Sequence, residues 1–590
     1  MHPVEFHLAL KFDADFADIF EVRGTRRTRK GVRSGPFVIE DRIVFSYVGL
    51  DEVERTTRIS LSPVGTLLTN GTALFTFHLQ PRATERIYVA VDCEIGISPA
   101  GRPLYDVALQ SIANEASQLR SEAAELESSK GEFNDSLERG CSDIFMMLTR
   151  TPQGLYPYAG VPWFSVPFGR DGIITALQML WINPSIARGV LGFLAMTQAT
   201  ESDDAADSSP GKIVHEMRRG EMAALGEIPF RQYYGSVDST PLFVMLAGEY
   251  YNRTADRPFI EQIWPNIEAA LNWIDQYGDS DKDGFVEYAR HSDKGLVHQG
   301  WKDSHDSVSH SDGQLAEAPI ALCEVQGYAY AAKRAAAQLC IALGNWSRGK
   351  ELESQAQVLK ERFDRTFWCE EKATYALALD GSKNQCQVRS SNPGHCLYTG
   401  IASPERVARI VHTLISETSF SGWGIRTLDS SEIRYNPMSY HNGSVWPHDN
   451  ALIASGFSRS GFKQEALQVF TSIFDLSQSV RLNRLPELIC GFPRLERQGP
   501  TLYPVACSPQ AWAAGSIHMM LEACLGLRID APSRSIRFEY PMLPPFIREL
   551  RIRNLRVGDA LVDLSLHRYP DNVAINVDRR TGPVEIVTLK

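Results

Sequence analysis

The period of the hydrophobic pattern changes twice along this chain, and each change limits what the flanking residues can build. Up to about residue 98 apolar residues recur at every second position. RTTRISLSPVG (55–65) and GTALFTFHLQ (71–80) alternate, RIYVAVDCEIGI (86–97) reads as a more fully buried strand, and Asn70-Gly71 is a hairpin signal. From about Tyr105 the period lengthens to that of amphipathic helices. VALQSIANEASQLRSEAAELESS (107–129) reads as helix, and NDSLERGCSDIFMMLTR (134–150) as a second one that Asn134 or Asp135 caps. Further helices are expected at 172–181, 184–199, 240–252, 258–277, 314–343, 349–368, 403–417, 447–460, 463–478 and 509–526. After about Pro532 the period returns to two in RIRNLRVGDALVDLSLHRY (551–569) and NVAINVDRR (572–580).

This pattern predicts a multidomain chain of α and β structure. Residues 1–98 form an N-terminal antiparallel β-sandwich, 99–532 a large (α/α)6 toroid, and 533–590 a small C-terminal β segment packed on the helices. Pro99 to Pro103 read as the linker. The toroid follows from the number of helices, since successive helical hairpins close into a ring with their long loops gathered at one end. At 590 residues the chain is long enough for a large core.

A net charge of −11 argues against nucleic acid, which needs a basic face, and suits a neutral substrate. No apolar run spans a bilayer, and the N-terminus lacks a basic start followed by an apolar stretch. No C-x-x-C pair occurs among the ten cysteines, so no zinc or redox motif is suggested. A cytoplasmic protein with reduced thiols, no membrane partner and no metal is expected.

The loops between the helices carry the chemistry. VPWFSVPFGRD (161–171) is kept out of helix by Pro162 and Pro167. It offers Trp163, Phe164 and Phe168 for stacking on the C–H face of a sugar, and Arg170 and Asp171 as donor fork and acceptor for its hydroxyls. A buried Arg–Asp pair in a helix-joining loop reads equally well from composition. FRQYYGSVDSTPLF (230–243) holds Tyr234 and Asp238 as sugar contacts, although Asp238 also fits a helix cap with Ser239 or Thr240. Asp279, Asp281, Asp283 and Gly284 begin like a calcium loop, but position twelve is Arg290 in place of a bidentate Glu, so a polar turn is the reading. In QGWKDS (299–304), Trp301 would raise the pKa of Asp303 by removing water, and a cation such as Lys302 would lower it. SYHNGSVWPHDN (439–450) clusters His441, Asn442, Trp446 and His448 before a helix opened by Pro447, a set suited to carbohydrate more than to metal. Glu487 lies among Leu485, Leu488 and Ile489, where a carboxylate needs a partner such as Arg484 or a catalytic task. Glu324 competes for the same role in a similar apolar setting.

Six phrases in order, ADFADIFEVRG (14–24), PWFSVPFGRDG (162–172), YYGSVDSTPLF (233–243), GWKDS (300–304), YHNGSVWPHDN (440–450) and LPELICGF (485–492), resemble the amylo-α-1,6-glucosidase (glycogen-debranching) family. That family is similar to the inverting glycosidases built on a six-hairpin α/α toroid. The resemblance implies that Asp303 is the general acid, Glu487 the general base, and Arg170 with Asp171 the grip on the terminal glucose. Trp301, Lys302, His441, Asn442 and Trp446 would line the pocket. The implied activity is release of a terminal α-linked glucose from an oligosaccharide or small α-glucoside with inversion, without a cofactor. A phosphorylase, or a sucrose, trehalose or glucosylglycerate hydrolase on the same toroid, remains open. So does a non-catalytic carbohydrate-binding protein, which would keep the aromatics and need neither carboxyl.

Overall fold

The computed structural model describes residues 2–69, 71–96, 105–570 and 572–590. Two compact units emerge: residues 1–118 together with 218–231, and residues 119–217 together with 232–590. The expected linker at 99–103 and Asn70 of the hairpin lie outside the described residues.

The first unit is antiparallel. One sheet has the order Val4–Lys11, Thr72–Leu79, Leu67–Thr69, and the other the order Val32–Ile39, Arg42–Val48, Glu54–Ser62, Tyr88–Ile95. Thr69 pairs with Thr72 across Gly71, whose φ of +77° is the left-handed backbone a tight hairpin needs. Ile43, Phe45, Ile59 and Leu61 of one sheet bury with Ala73 and Phe75 of the other. The run expected to be more fully buried than its neighbours is instead an edge strand. Among the described residues Tyr88–Ile95 pairs only with Glu54–Ser62, and Val89, Val91 and Ile95 face solvent. Period-two apolarity cannot tell a central strand from an edge.

The segment 218–231 joins this unit through Glu221, in the short helix Glu221–Ala224. Its carboxylate accepts from Arg27 Nη1 (3.0 Å), Tyr47 Oη (2.8 Å) and the Leu50 N–H (2.7 Å). Burial alone would raise its pKa, but these three donors outweigh it and hold the carboxyl below its ordinary value. Arg27 also grips Glu227 with two nitrogens, at 2.8 and 2.6 Å.

The second unit is mainly helical. Hairpins join Gly169–Met179 to Pro184–Met196, Ser239–Thr254 to Arg257–Gln276, Cys323–Leu343 to Trp346–Phe367, Pro393–Thr399 to Pro404–Leu414, and Pro447–Arg459 to Lys463–Gln478. The first helix of each hairpin packs on the first helix of the next. Pro447–Arg459 packs on Ser516–Leu525, which returns to Gly169–Met179. Their buried faces form one continuous core.

Several expected elements differ. Residues 314–322 are not helical; Ala321–Leu322 is a two-residue strand, and the helix begins at Cys323. The helix Tyr105–Glu122 stops early because Glu125–Ser128 pairs with Glu549–Val557. Lys130, not Asn134 or Asp135, precedes the helix Gly131–Met147, and Asn134 turns its amide to Ser128. The expected helix at 509–526 is broken at Gly515 into Ala511–Ala514 and Ser516–Leu525. The C-terminal strands Glu549–Val557, Ala560–Arg568 and Val573–Thr581 continue the sheet that Glu125–Ser128 starts. Leu527–Asp530, Ser535–Glu539 and Glu585–Leu589 form a second sheet, whose last pair is parallel. Among the described residues no helix is long and apolar enough to cross a membrane.

Candidate active site

Arg170 and Asp171 lie in the first turn of Gly169–Met179, not in the preceding loop, and both are buried. Arg170 does not spend its fork on Asp171. Its Nη1 donates to Asp238 Oδ2 (3.2 Å) and Oδ1 (3.3 Å) and to Gly300 O (3.1 Å), and its Nη2 donates to Asp303 Oδ2 (3.1 Å). Asp238 precedes the helix Ser239–Thr254 without capping it. Its carboxylate takes the Arg170 bonds and a 2.6 Å bond from Ser236 Oγ instead.

Asp303 is the more open end of this chain of charges, with 29% of its side chain exposed. Burial raises its pKa first of all; Arg170 opposes and Asp238 adds to the rise, and the net direction is upward. The cation on Asp303 is thus Arg170 and not Lys302. Lys302 turns its ammonium to Thr427 O (2.6 Å) and over the Trp301 ring (5.1 Å), and burial pulls its pKa down to about 8.

Asp171 accepts from Gln510 Nε2 at 3.2 Å. Its carboxyl is pushed up to about 7, first by burial, with Arg170 opposing and the charges of Asp303, Glu487 and Asp238 adding to the rise. Asp238, Asp303 and Glu487, from distant stretches of the sequence, thus all act on the charge of Asp171. Glu487 is buried. Its Oε1 accepts from Tyr440 Oη (2.6 Å), its Oε2 accepts from the Cys507 N–H (2.9 Å), and its own N–H donates to Cys507 O (2.9 Å). The partner expected from sequence, Arg484, pairs with Asp143 at 2.7 Å. Glu324, the competing carboxylate, is fully buried in the first turn of Cys323–Leu343 with the Cys323 thiol against it. Its pKa is raised by burial.

Trp301, His441 and Trp446 stack into one aromatic wall. His441 lies parallel to Trp446 at 5.1 Å, and Trp301 meets both edge-on at 5.7 Å. Burial drives the His441 pKa well below its ordinary value, so the ring is neutral, and its Nδ1 faces the Ser304 hydroxyl. Asn442 donates to Asp306 O (3.0 Å). Trp163 donates Nε1–H to Val505 O (2.9 Å), and Phe164 meets Phe168 edge-on at 5.5 Å. Phe168 is buried edge-on to His215 at 5.4 Å, a packing position rather than an open platform. Tyr234 donates to Thr197 O (2.8 Å) and accepts from Gln232, bonds that anchor its own loop and involve none of the four carboxyls. Sequence reasoning passed over Tyr440 and Gln510. Tyr440 stands beside His441 in a stretch already singled out; nothing near Gln510 in sequence announces a partner 339 residues away.

Asp279, Asp281 and Asp283 do bring carboxylate oxygens within 4.8 Å of one another. Lys383 sets its ammonium among them, at 2.7 Å from Asp281 and 2.8 Å from Asp283 and Glu287, and the Gly284 N–H bonds Asp279.

Residues 170–487 match the family described as the mannosylglycerate hydrolase MGH1-like glycoside hydrolase domain. The matched stretch opens at Arg170 and closes at Glu487, the two ends of the charge cluster. Residues 1–90 match the N-terminal domain of some glycogen debranching enzymes. No curated protein sequence matches the chain. Among solved structures, a GH78 family rhamnosidase of Bacillus sp. GL1 is 14% identical and superposes with a TM-score of 0.57 over 94% of this chain and 54% of its own. A sialidase is 12% identical with a TM-score of 0.56 over 92% and 52%. The chain thus spans about half the length of these two, and the likeness is one of fold. A GH63 mannosylglycerate hydrolase from Thermus thermophilus, in complex with Tris, is 13% identical with a TM-score of 0.47 over 65% and 99%.

Proposed function

The chain belongs to the MGH1-like glycoside hydrolase domain family, and from that premise we propose that it releases a terminal α-linked glucose, with inversion, from an oligosaccharide or a small α-glucoside. In this reading the closed succession of helix pairs is an (α/α)6 toroid, and the two N-terminal sheets are a sandwich.

The observation that carries the reading is the bridge Asp238–Arg170–Asp303 next to Asp171, whose carboxyl feels the charges of both Asp303 and Glu487. Glycosidic cleavage needs a proton on the leaving oxygen and a base on the opposite face of the ring. Asp303, partly open and with a raised pKa, suits the donor. Glu487, holding two hydrogen bonds on its carboxylate oxygens, suits the base that takes a proton from water. Arg170 bridges the acid to Asp238, so the group that orients Asp303 and the group that meets a sugar hydroxyl are one guanidinium. Asp171, with a pKa of about 7, both donates and accepts near neutrality, as a hydroxyl-binding group should. The step needs water and no cofactor.

A second reading, hydrolysis of a glycoside of a small hydroxy acid, rests on the family's description. One screen separates the two. Isomaltose, panose, maltose, trehalose, sucrose, limit dextrin, glucosylglycerate and mannosylglycerate are incubated separately, and the first product is followed by NMR. Early β-glucose from the neutral substrates supports the first reading. Release from the glycerates alone supports the second, and α-glucose as first product overturns inversion.

A further inference from the structure

A groove of about 780 Å³ runs over the second unit between the start of Lys463–Gln478, the segment after Ser535–Glu539, and the residues Tyr569, Pro570 and Asn572 that follow Ala560–Arg568. It shares no residue with the carboxylate cluster. Two aromatic residues stand out from its walls: Tyr540 is 61% exposed and Tyr569 is 56% exposed. Tyr540 holds a φ of +49°, a left-handed conformation that bulky side chains rarely adopt. Its N–H is pinned to Leu589 O at 2.9 Å, so the chain is locked in the turn that presents the ring. A bulky apolar ring in such a backbone, turned to water, calls for a reason outside the fold.

The polar lining says what the rings meet. Gln464 and Asn572 carry amides that donate and accept, and among the described residues no Asp or Glu lines the groove. Of the cations, Arg568 gives Nε and Nη2 to the carbonyls of Ile547 and Pro545, at 2.9 and 2.8 Å. Lys463 is tied to Ser458 Oγ (2.8 Å) and Ala523 O (3.2 Å), and burial draws its pKa down to about 8. Much of the positive charge thus serves the protein's own acceptors, and among the described lining residues Lys590 is the remaining cation. Rings with apolar faces, amides and little free charge match a neutral polyol.

We propose that this groove is a second carbohydrate site, binding a neutral oligosaccharide chain by stacking on Tyr540 and Tyr569 and by hydrogen bonds to Gln464 and Asn572. The proposal rests on the glycosidase reading: such a site would hold a long substrate while its end is cleaved elsewhere.

The test is electrophoresis of the whole protein through native gels containing glycogen or dextrin, beside kinetics on a short α-glucoside. The wild type is retarded by the polysaccharide. Tyr540→Ala/Tyr569→Ala loses at least tenfold in apparent affinity and several-fold in rate on the polymer, yet keeps kcat/KM on the short substrate and its melting temperature. Tyr540→Phe/Tyr569→Phe keeps the rings and the retardation. Equal retardation of the alanine variant, or a wild type that cleaves short glucosides and ignores both polymers, overturns the site. Retardation lost in the alanine variant of a protein that cleaves no glucoside leaves the site standing and sinks the hydrolase reading. Displacement by glucose 6-phosphate and not by maltoheptaose overturns the neutral ligand.

Discussion

Tyr440 donates its phenolic hydrogen to Oε1 of Glu487 across 2.6 Å, while the Cys507 N–H holds Oε2 at 2.9 Å. The two carboxylate oxygens are thereby fixed by groups from two different loops. Tyr440 also packs edge-on to Trp446 at 4.9 Å, so its hydroxyl has little freedom to move. If Glu487 is the base proposed above, removing that one oxygen should free it to turn out of position.

Tyr440→Phe is therefore expected to lower kcat by about 10- to 100-fold with KM nearly unchanged, the signature of a misplaced base rather than a lost sugar contact. Steady-state kinetics on the best substrate from the screen decide it. A rise in KM at constant kcat would make Tyr440 a binding residue.

Asp303→Asn should cost about 10²- to 10⁴-fold in kcat on an ordinary α-glucoside. An α-glucosyl fluoride needs no proton on its leaving group, so on that substrate the variant should stay within about tenfold of wild type. Equal losses on both substrates would remove the donor assignment.

Arg170→Ala leaves Asp238 and Asp303 facing each other without the cation that lies between them. Asp238 is fully buried, so breaking this network should cost about 3–5 kcal/mol, read as a lowered urea midpoint. A midpoint unchanged by the substitution would show that the pairing does not hold the fold.

Asp171 supplies a pH dependence of stability. Its folded pKa, about 7, stands above its ordinary value of 3.8, so the native state binds the extra proton. The contribution is fully present below about pH 4 and fades as pH rises through 7. Asp171→Asn removes the ionisation and should gain stability over wild type as pH rises from 5 to 8.5, by a few kcal/mol at most. Thermal melts at the two pH values check the sign; a gain larger at pH 5 would contradict it.

The helical pattern was legible because each helix carries its own apolar stripe, as in Lys463–Gln478, where the expected and observed ends coincide. Where partners are remote, sequence was silent. The helix expected over 107–129 gave way to a strand whose neighbour lies more than 400 residues on, at Glu549–Val557. Local chemistry misled in the same manner at the site. Lys302 is adjacent to Asp303 yet points to Thr427, whereas the cation that does reach Asp303 is Arg170, from the helix Gly169–Met179. Arg484 is three residues from Glu487 and serves Asp143. Side chains that are neighbours in sequence leave the backbone in different directions, so adjacency is a poor guide to pairing.

The placement of Glu221 has a consequence for anyone who edits this gene. A truncation that removes residues 1–118 does not excise a complete module, because 218–231 is left behind with a carboxylate shaped for Arg27, Tyr47 and the Leu50 N–H. Transplanting the β unit alone carries the opposite fault, three donors with no acceptor. Recombination between relatives would keep this contact only if it exchanged both stretches at once, which makes the unit inherited as two pieces of sequence and folded as one.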